Sequence, residues 1–231
     1  MTAGAVLLGA WSTYRARPWP VMGLAVVVFG TSAVIDTFVE RLSLSVGGSK
    51  LLDLVAALIS GPVSITTFGL VLYAGVLDRV VGHHLHGHAH LTVRQAVRSL
   101  PWGRLFVADL ILTSATSVGI ALFVVPGLVV FTFFCLVGPV VNIEGEDVLA
   151  AFRRSAALVR RAPWLTAALV TVPTILEVAL IHGLDFATAD SPYLAAFVVS
   201  ALIGVTIGAV VGLFEVTLAY ELVGPENRRH R

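Results

Sequence analysis

Residues 125–164 read VPGLVVFTFFCLVGPVVNIEGEDVLAAFRRSAALVRRAPW, and they set two unlike helices end to end. From Pro126 to Ile143 the chain is apolar over a length close to the roughly 20 residues that cross a bilayer. From Glu146 to Arg161 it turns amphipathic. At 100° per residue Val148, Leu149, Phe152, Ala156 and Val159 share one arc, and Glu146, Arg153, Arg154, Arg160 and Arg161 cluster opposite. That order predicts a membrane span followed by a basic helix lying among anionic headgroups, each arginine contributing around 1 kcal/mol. Glu144, Glu146 and Asp147 are assigned to the first turn of the basic helix, where its dipole favours acids.

The rest of the chain repeats this grammar. Of its 231 residues 57% are hydrophobic and 13% charged, against about 25% charged in an ordinary soluble domain. The mean hydropathy is +0.93. Apolar runs near residues 19–39, 62–81, 102–123, 126–143, 164–181 and 194–222 are each read as a spanning helix. Shorter stretches near 3–14, 92–100 and 146–161 are read as interfacial helices. The first is expected to lie at the interface and makes a poor secretory leader, because no basic residue precedes it and Arg15 and Arg17 follow it. The predicted fold is all-α: one polytopic membrane domain, residues 1–231, of six transmembrane helices in three hairpins with short cytoplasmic amphipathic helices.

Orientation follows from the basic residues, which accumulate on the cytoplasmic side of a membrane. Of the 15 Lys and Arg, only Arg41 and Lys50 fall in connections on one side; the others, from Arg15 to Arg231, fall on the other. Both termini are therefore expected in the cytoplasm of a bacterial cell, with the chain multi-pass in its plasma membrane. Three approximate repeats agree. The words YRARPWPVMG, AVRSLPWGRL and LVRRAPWLTA each put arginines and then Pro-Trp at the start of an odd-numbered helix. Proline suits a first helical turn, whose N–H groups are unpaired anyway. Trp19, Trp102 and Trp164 suit the headgroup level.

Candidate functional residues fall into four groups. Arg94, Arg98, Arg153, Arg154, Arg160 and Arg161 are candidate contacts for anionic phospholipid headgroups. Asp36, Asp109, Glu177 and Glu215 lie within apolar runs, where burial of a carboxylate is costly unless a pathway or a partner rewards it. Counting 1.5 Å per residue puts Asp109 about 10 Å deep, with Glu215 near the same level, while Asp36 and Glu177 form an outer pair. His83, His84, His86, His88 and His90 crowd a cytoplasmic loop and offer imidazoles to a metal ion; two glycines among them argue against fixed geometry, and a solvated linker is the favoured reading. Gly204, Gly208 and Gly212 form a stripe that admits a close helix, from this chain, a membrane partner or a second copy.

Several chemistries lack their minimum residues. There is no Gly-x-Ser-x-Gly, no His-Glu-x-x-His, no Walker loop and no Cys-x-x-Cys. With a single cysteine, Cys135, no intramolecular disulfide forms. No enzyme activity, no cofactor and no nucleic-acid partner is expected. SGPVS, VPGLV and VGPVV interrupt helices, and Pro173 sits within the fifth, which leaves transport open, since broken helices often line a cavity.

The quoted run also resembles a pattern in bacterial six-helix membrane proteins of the YciC-like type, shared with the membrane domain attached to some glycerophosphodiester phosphodiesterases. Pro126, Gly127, Glu144, Ala151, Arg154, Ser155, Leu158 and Trp164 carry the likeness; Ala156 stands where such proteins often have an aromatic residue. The resemblance implies a six-helix membrane fold and no enzyme, because the phosphodiesterase chemistry belongs to a separate soluble domain. Two functions are therefore expected to compete. One is a non-enzymatic accessory or scaffold bound to the lipid bilayer, its anionic headgroups or a membrane partner. The alternative is a small transporter or channel for protons, cations or a small solute, using the intramembrane carboxylates.

Overall fold

The computed structural model describes residues 3–45, 73–79, 93–187 and 193–227, and among these it contains helices and no strand. In chain order they are α1 (Ala3–Ala16), α2 (Pro18–Ser45), a helical segment at residues 73–79, α3 (Val93–Ser99), α4 (Trp102–Leu122), α5 (Val124–Phe134), α6 (Val137–Glu144), α7 (Val148–Val159), α8 (Pro163–Thr166), a π-helical turn (Ala167–Thr171), α9 (Val172–Ala187) and α10 (Tyr193–Asn227).

Proline explains most of these boundaries. A proline inside a helix lacks the N–H that would bond the carbonyl four residues back, and its ring clashes with that carbonyl. The residues four before Pro20, Pro126 and Pro163 are Ala16, Leu122 and Val159, the last residues of α1, α4 and α7. Four before Pro139 is Cys135, where α5 gives way to α6. Four before Pro173 is Leu169, inside the π-helical turn, where the Val172 N–H reaches back five residues to Ala167 O. Pro225 is carried within a helix, in the final turns of α10.

Helix α10 is the centre of the assembly, packing against α1, α2, α6, the π-helical turn and α9. Its glycine stripe is used within the chain. A methyl group on Gly208 would come within 2.5 Å of the Phe29 ring, and one on Gly212 within 2.6 Å of Tyr73. The two rings sit 5.3 Å apart, and the Tyr73 hydroxyl donates to Ala209 O at 3.4 Å. Helix α4 lies along α5, and here too backbone meets backbone. A methyl on Gly119 would lie 2.7 Å from Gly127 Cα, and one on Gly127 2.5 Å from the Ile120 N. The extended Phe123 links the two helices (φ −158°, ψ 135°).

Three stretches are long and apolar enough to cross a membrane: Trp102–Ile120, Val124–Glu144 and Phe197–Val223. Pro18–Thr31 and Pro163–Glu177 are apolar but shorter. Among the described residues the count is thus three where the sequence predicts six, and most of the predicted second span lies outside them. These stretches are apolar without being interior: only 17% of the first is buried within the protein. Leu122, Phe123 and Val125 are each about 70% exposed. An apolar surface of that extent needs hydrocarbon around it, so the chain is a membrane protein.

Candidate functional site

The basic helix α7 is built onto the bundle by small and polar residues. Ala151, Ser155, Leu158 and Val159 are buried. Ser155 Oγ donates to Phe133 O at 2.9 Å, satisfying a carbonyl at the break between α5 and α6. Arg154 grips Glu144 with Nε and Nη2, at 2.9–3.1 Å. Gly145, at φ 68°, ends α6 in the left-handed region that glycine enters without penalty, and its carbonyl accepts from Arg104 Nη1 at 2.9 Å. Two expectations change as a result. Glu144 belongs to α6 and Glu146 and Asp147 to the link, because Gly145 stops one helix and Val148 starts the next. The docked face is turned toward Ala151, Ser155 and Leu158, whose small or hydrogen-bonded side chains allow close approach, so Leu149 stays 68% exposed.

That rotation leaves a mixed outer stripe. Leu149, Arg153, Ala157 and Arg160 follow one another at spacings of four, four and three, and all are exposed. Arg161 and Trp164 continue the row; the Trp164 ring is 86% exposed. Arg154, placed among the lipid contacts by sequence, is instead a part-buried partner of Glu144. Arg94 and Arg98 are exposed on α3. Of the three Pro-Trp tryptophans, Trp19 is 85% exposed like Trp164, whereas Trp102 donates its Nε1–H to Val97 O at 2.9 Å and ties α4 back to α3. On α1, Val6, Ala10 and Thr13 face the bundle, with Gly9 against Thr217, and Leu7, Leu8 and Trp11 face out.

The interior holds polar groups at three levels of α10. Glu177, part-buried on α9, brings Oε1 to within 3.7 Å of where a methyl on Gly204 would stand. Asp109 and Glu215 come within electrostatic reach of each other, Thr113 hydrogen-bonds Asp109, and Glu215 in turn faces Cys135. Beside Cys135 the two broken helices meet, the Thr132 and Thr171 hydroxyls sharing a buried 2.8 Å hydrogen bond. The third level is absent from the sequence reading. Asp78, only 1% exposed, accepts from Tyr220 beside the Arg79 charge, and Asn142 lies against Gly75, one turn back on the same segment. The adjacent Asp78-Arg79 pair looks like an ordinary wetted helix end; its burial depends on α6 and α10, which only the fold supplies.

Asp36 lies on α2. His83, His84, His86, His88 and His90 lie outside the described residues. Among the described residues no three His, Cys, Asp or Glu side chains gather as a metal site. A shallow apolar groove of about 730 Å³ runs along α4 between Leu110 and Leu122. No family model, no curated protein and no solved structure matches this chain.

Proposed function

We propose that this protein is a non-enzymatic, multi-pass component of a bacterial plasma membrane whose α7 rests its outer stripe on anionic phospholipid headgroups, giving an accessory or scaffold surface at the inner leaflet. The observation that carries this reading is the exposed row Leu149, Arg153, Ala157, Arg160, Arg161 and Trp164 on a helix that Arg154 and Ser155 hold rigidly to the bundle. A leucine and a tryptophan beside arginines match the headgroup zone, which is half apolar and negatively charged. Six spans with both termini cytoplasmic, and kinship with the YciC-like pattern, belong to the same proposal; the one-sided arginines support the orientation. The test is lipid composition in nanodiscs formed from a mixture of anionic and zwitterionic phospholipid. The native protein should enrich anionic lipid around itself, and R153Q/R160Q/R161Q should abolish the enrichment. Equal composition around both proteins would remove the basis of the reading.

A specific observation also favours transport of protons or cations. Asp109 lies within electrostatic reach of Glu215. Two carboxylates so placed favour sharing a proton or a cation. Reconstituted vesicles should then conduct protons or a monovalent cation, and D109N/E215Q should lose that flux. Flux absent from the native protein, or unchanged in the variant, would eliminate transport.

A further inference from the structure

The buried polar centre around Asp78 carries a separate consequence. Asp78 is 1% exposed and Asn142 7% exposed. Tyr220 supplies one hydrogen bond to the Asp78 carboxyl, yet its Oδ1 has no partner. Both polar atoms of the Asn142 amide lack one too, as do Arg79 Nε and Thr217 Oγ1. Asn142 reaches the face of the 73–79 segment that carries Asp78. Gly75 and Asp78 lie three residues apart on one face of the 73–79 segment, and a methyl on Gly75 would stand 3.2 Å from Asn142 Nδ2. Leaving such a group dry is costly, and most so for a carboxylate. The Asn142 amide thus brings a donor and an acceptor to the face that carries the acceptor Asp78 Oδ1. A bare cation would meet the Arg79 guanidinium, and an anion would meet Asp78. Water, which both donates and accepts, fits both Asp78 and Asn142.

We propose that Asp78, Asn142 and Tyr220 enclose a hydrated proton-exchange site, in which Asp78 takes up and releases a proton through water held by Asn142. In uptake a protonated water gives its proton to Asp78 Oδ1 and is left as neutral water; release is the reverse. Tyr220 is a positioning residue, since its hydroxyl occupies the carboxyl from one side and leaves Oδ1 as the exchanging oxygen. Arg79, on the same segment, and Tyr220, on α10, are the charged or titratable groups acting on Asp78 among the described residues. The site depends neither on the lipid-facing stripe nor on the Asp109–Glu215 pair.

Infrared difference spectra of the full chain in nanodiscs, recorded through a pH titration and on transfer to deuterated buffer, test this directly. The native protein should give a titrating carboxyl band that shifts on deuteration and is lost in Asp78→Asn. In Tyr220→Phe the band should move in frequency, because one hydrogen bond to the carboxyl has gone. In Asn142→Leu, which removes the amide that holds the water, the band should persist but exchange far more slowly. A spectrum unchanged in Asp78→Asn, or native exchange in Asn142→Leu, overturns the proposal. If either variant fails to fold, Tyr220→Phe decides: an unmoved band overturns it as well.

Discussion

Ser155 and Arg154 bind α7 to the bundle through one hydrogen bond and one two-pronged ion pair, and both are open to measurement. Ser155→Ala leaves the buried Phe133 carbonyl without its donor, so the expected loss is about 1–3 kcal/mol of unfolding free energy in mixed micelles. Arg154→Gln and Glu144→Gln should each destabilise, and the double variant should lose less than the two losses added, because either change alone already breaks the pair. An additive result would mean that the two residues act independently. Gly145→Ala forces a side chain into the left-handed region at φ 68° and should cost about 1–2 kcal/mol by the same assay. The sequence marks these residues as a pattern without disclosing their work. A basic residue facing a helix's polar side looks the same whether it meets a headgroup or a carboxylate ten residues upstream, and only the turn at Gly145 brings Glu144 within reach of Arg154.

At the scale of elements, helix positions were legible because apolar length and proline position are local properties. The rule that a proline disturbs the helix four residues earlier accounts for the ends of α1, α4 and α7, the break at Cys135 and the π-helical turn at Leu169. Which face of a helix is buried was not legible in the same way. Hydrophobicity points α7 through Leu149 and Ala156, whereas packing selects Ala151, Ser155 and Leu158. The glycine stripe of α10 likewise declares close approach but not its partners, Phe29 and Tyr73. Close approach is itself testable between α4 and α5. Gly127→Val places atoms inside the Ile120 backbone and should sharply lower the thermal stability of the detergent-solubilised protein. Gly103→Ala on the same α4 meets nothing within 4 Å and should leave it unchanged. Comparable stability in the two variants would contradict the packing of α4 on α5.

For the whole molecule, an apolar exterior around α4, α5 and α10 makes the membrane part of the fold, and composition alone announced this. Function is less legible, because it depends on what the exposed stripe of α7 touches. That contact is accessible to a single label. Cys135, the only native cysteine, is 4% exposed, so Ala157→Cys at the middle of the stripe adds one reactive thiol. A fluorophore attached there, in vesicles containing anionic phospholipid, reports its surroundings through two quenchers, one carried near the lipid headgroup and one dissolved in water. Placement of α7 on the headgroups predicts strong quenching by the lipid-borne group and weak quenching by the aqueous one, with the difference reduced in R153Q/R160Q/R161Q. Strong aqueous quenching that is indifferent to the arginines would contradict the account.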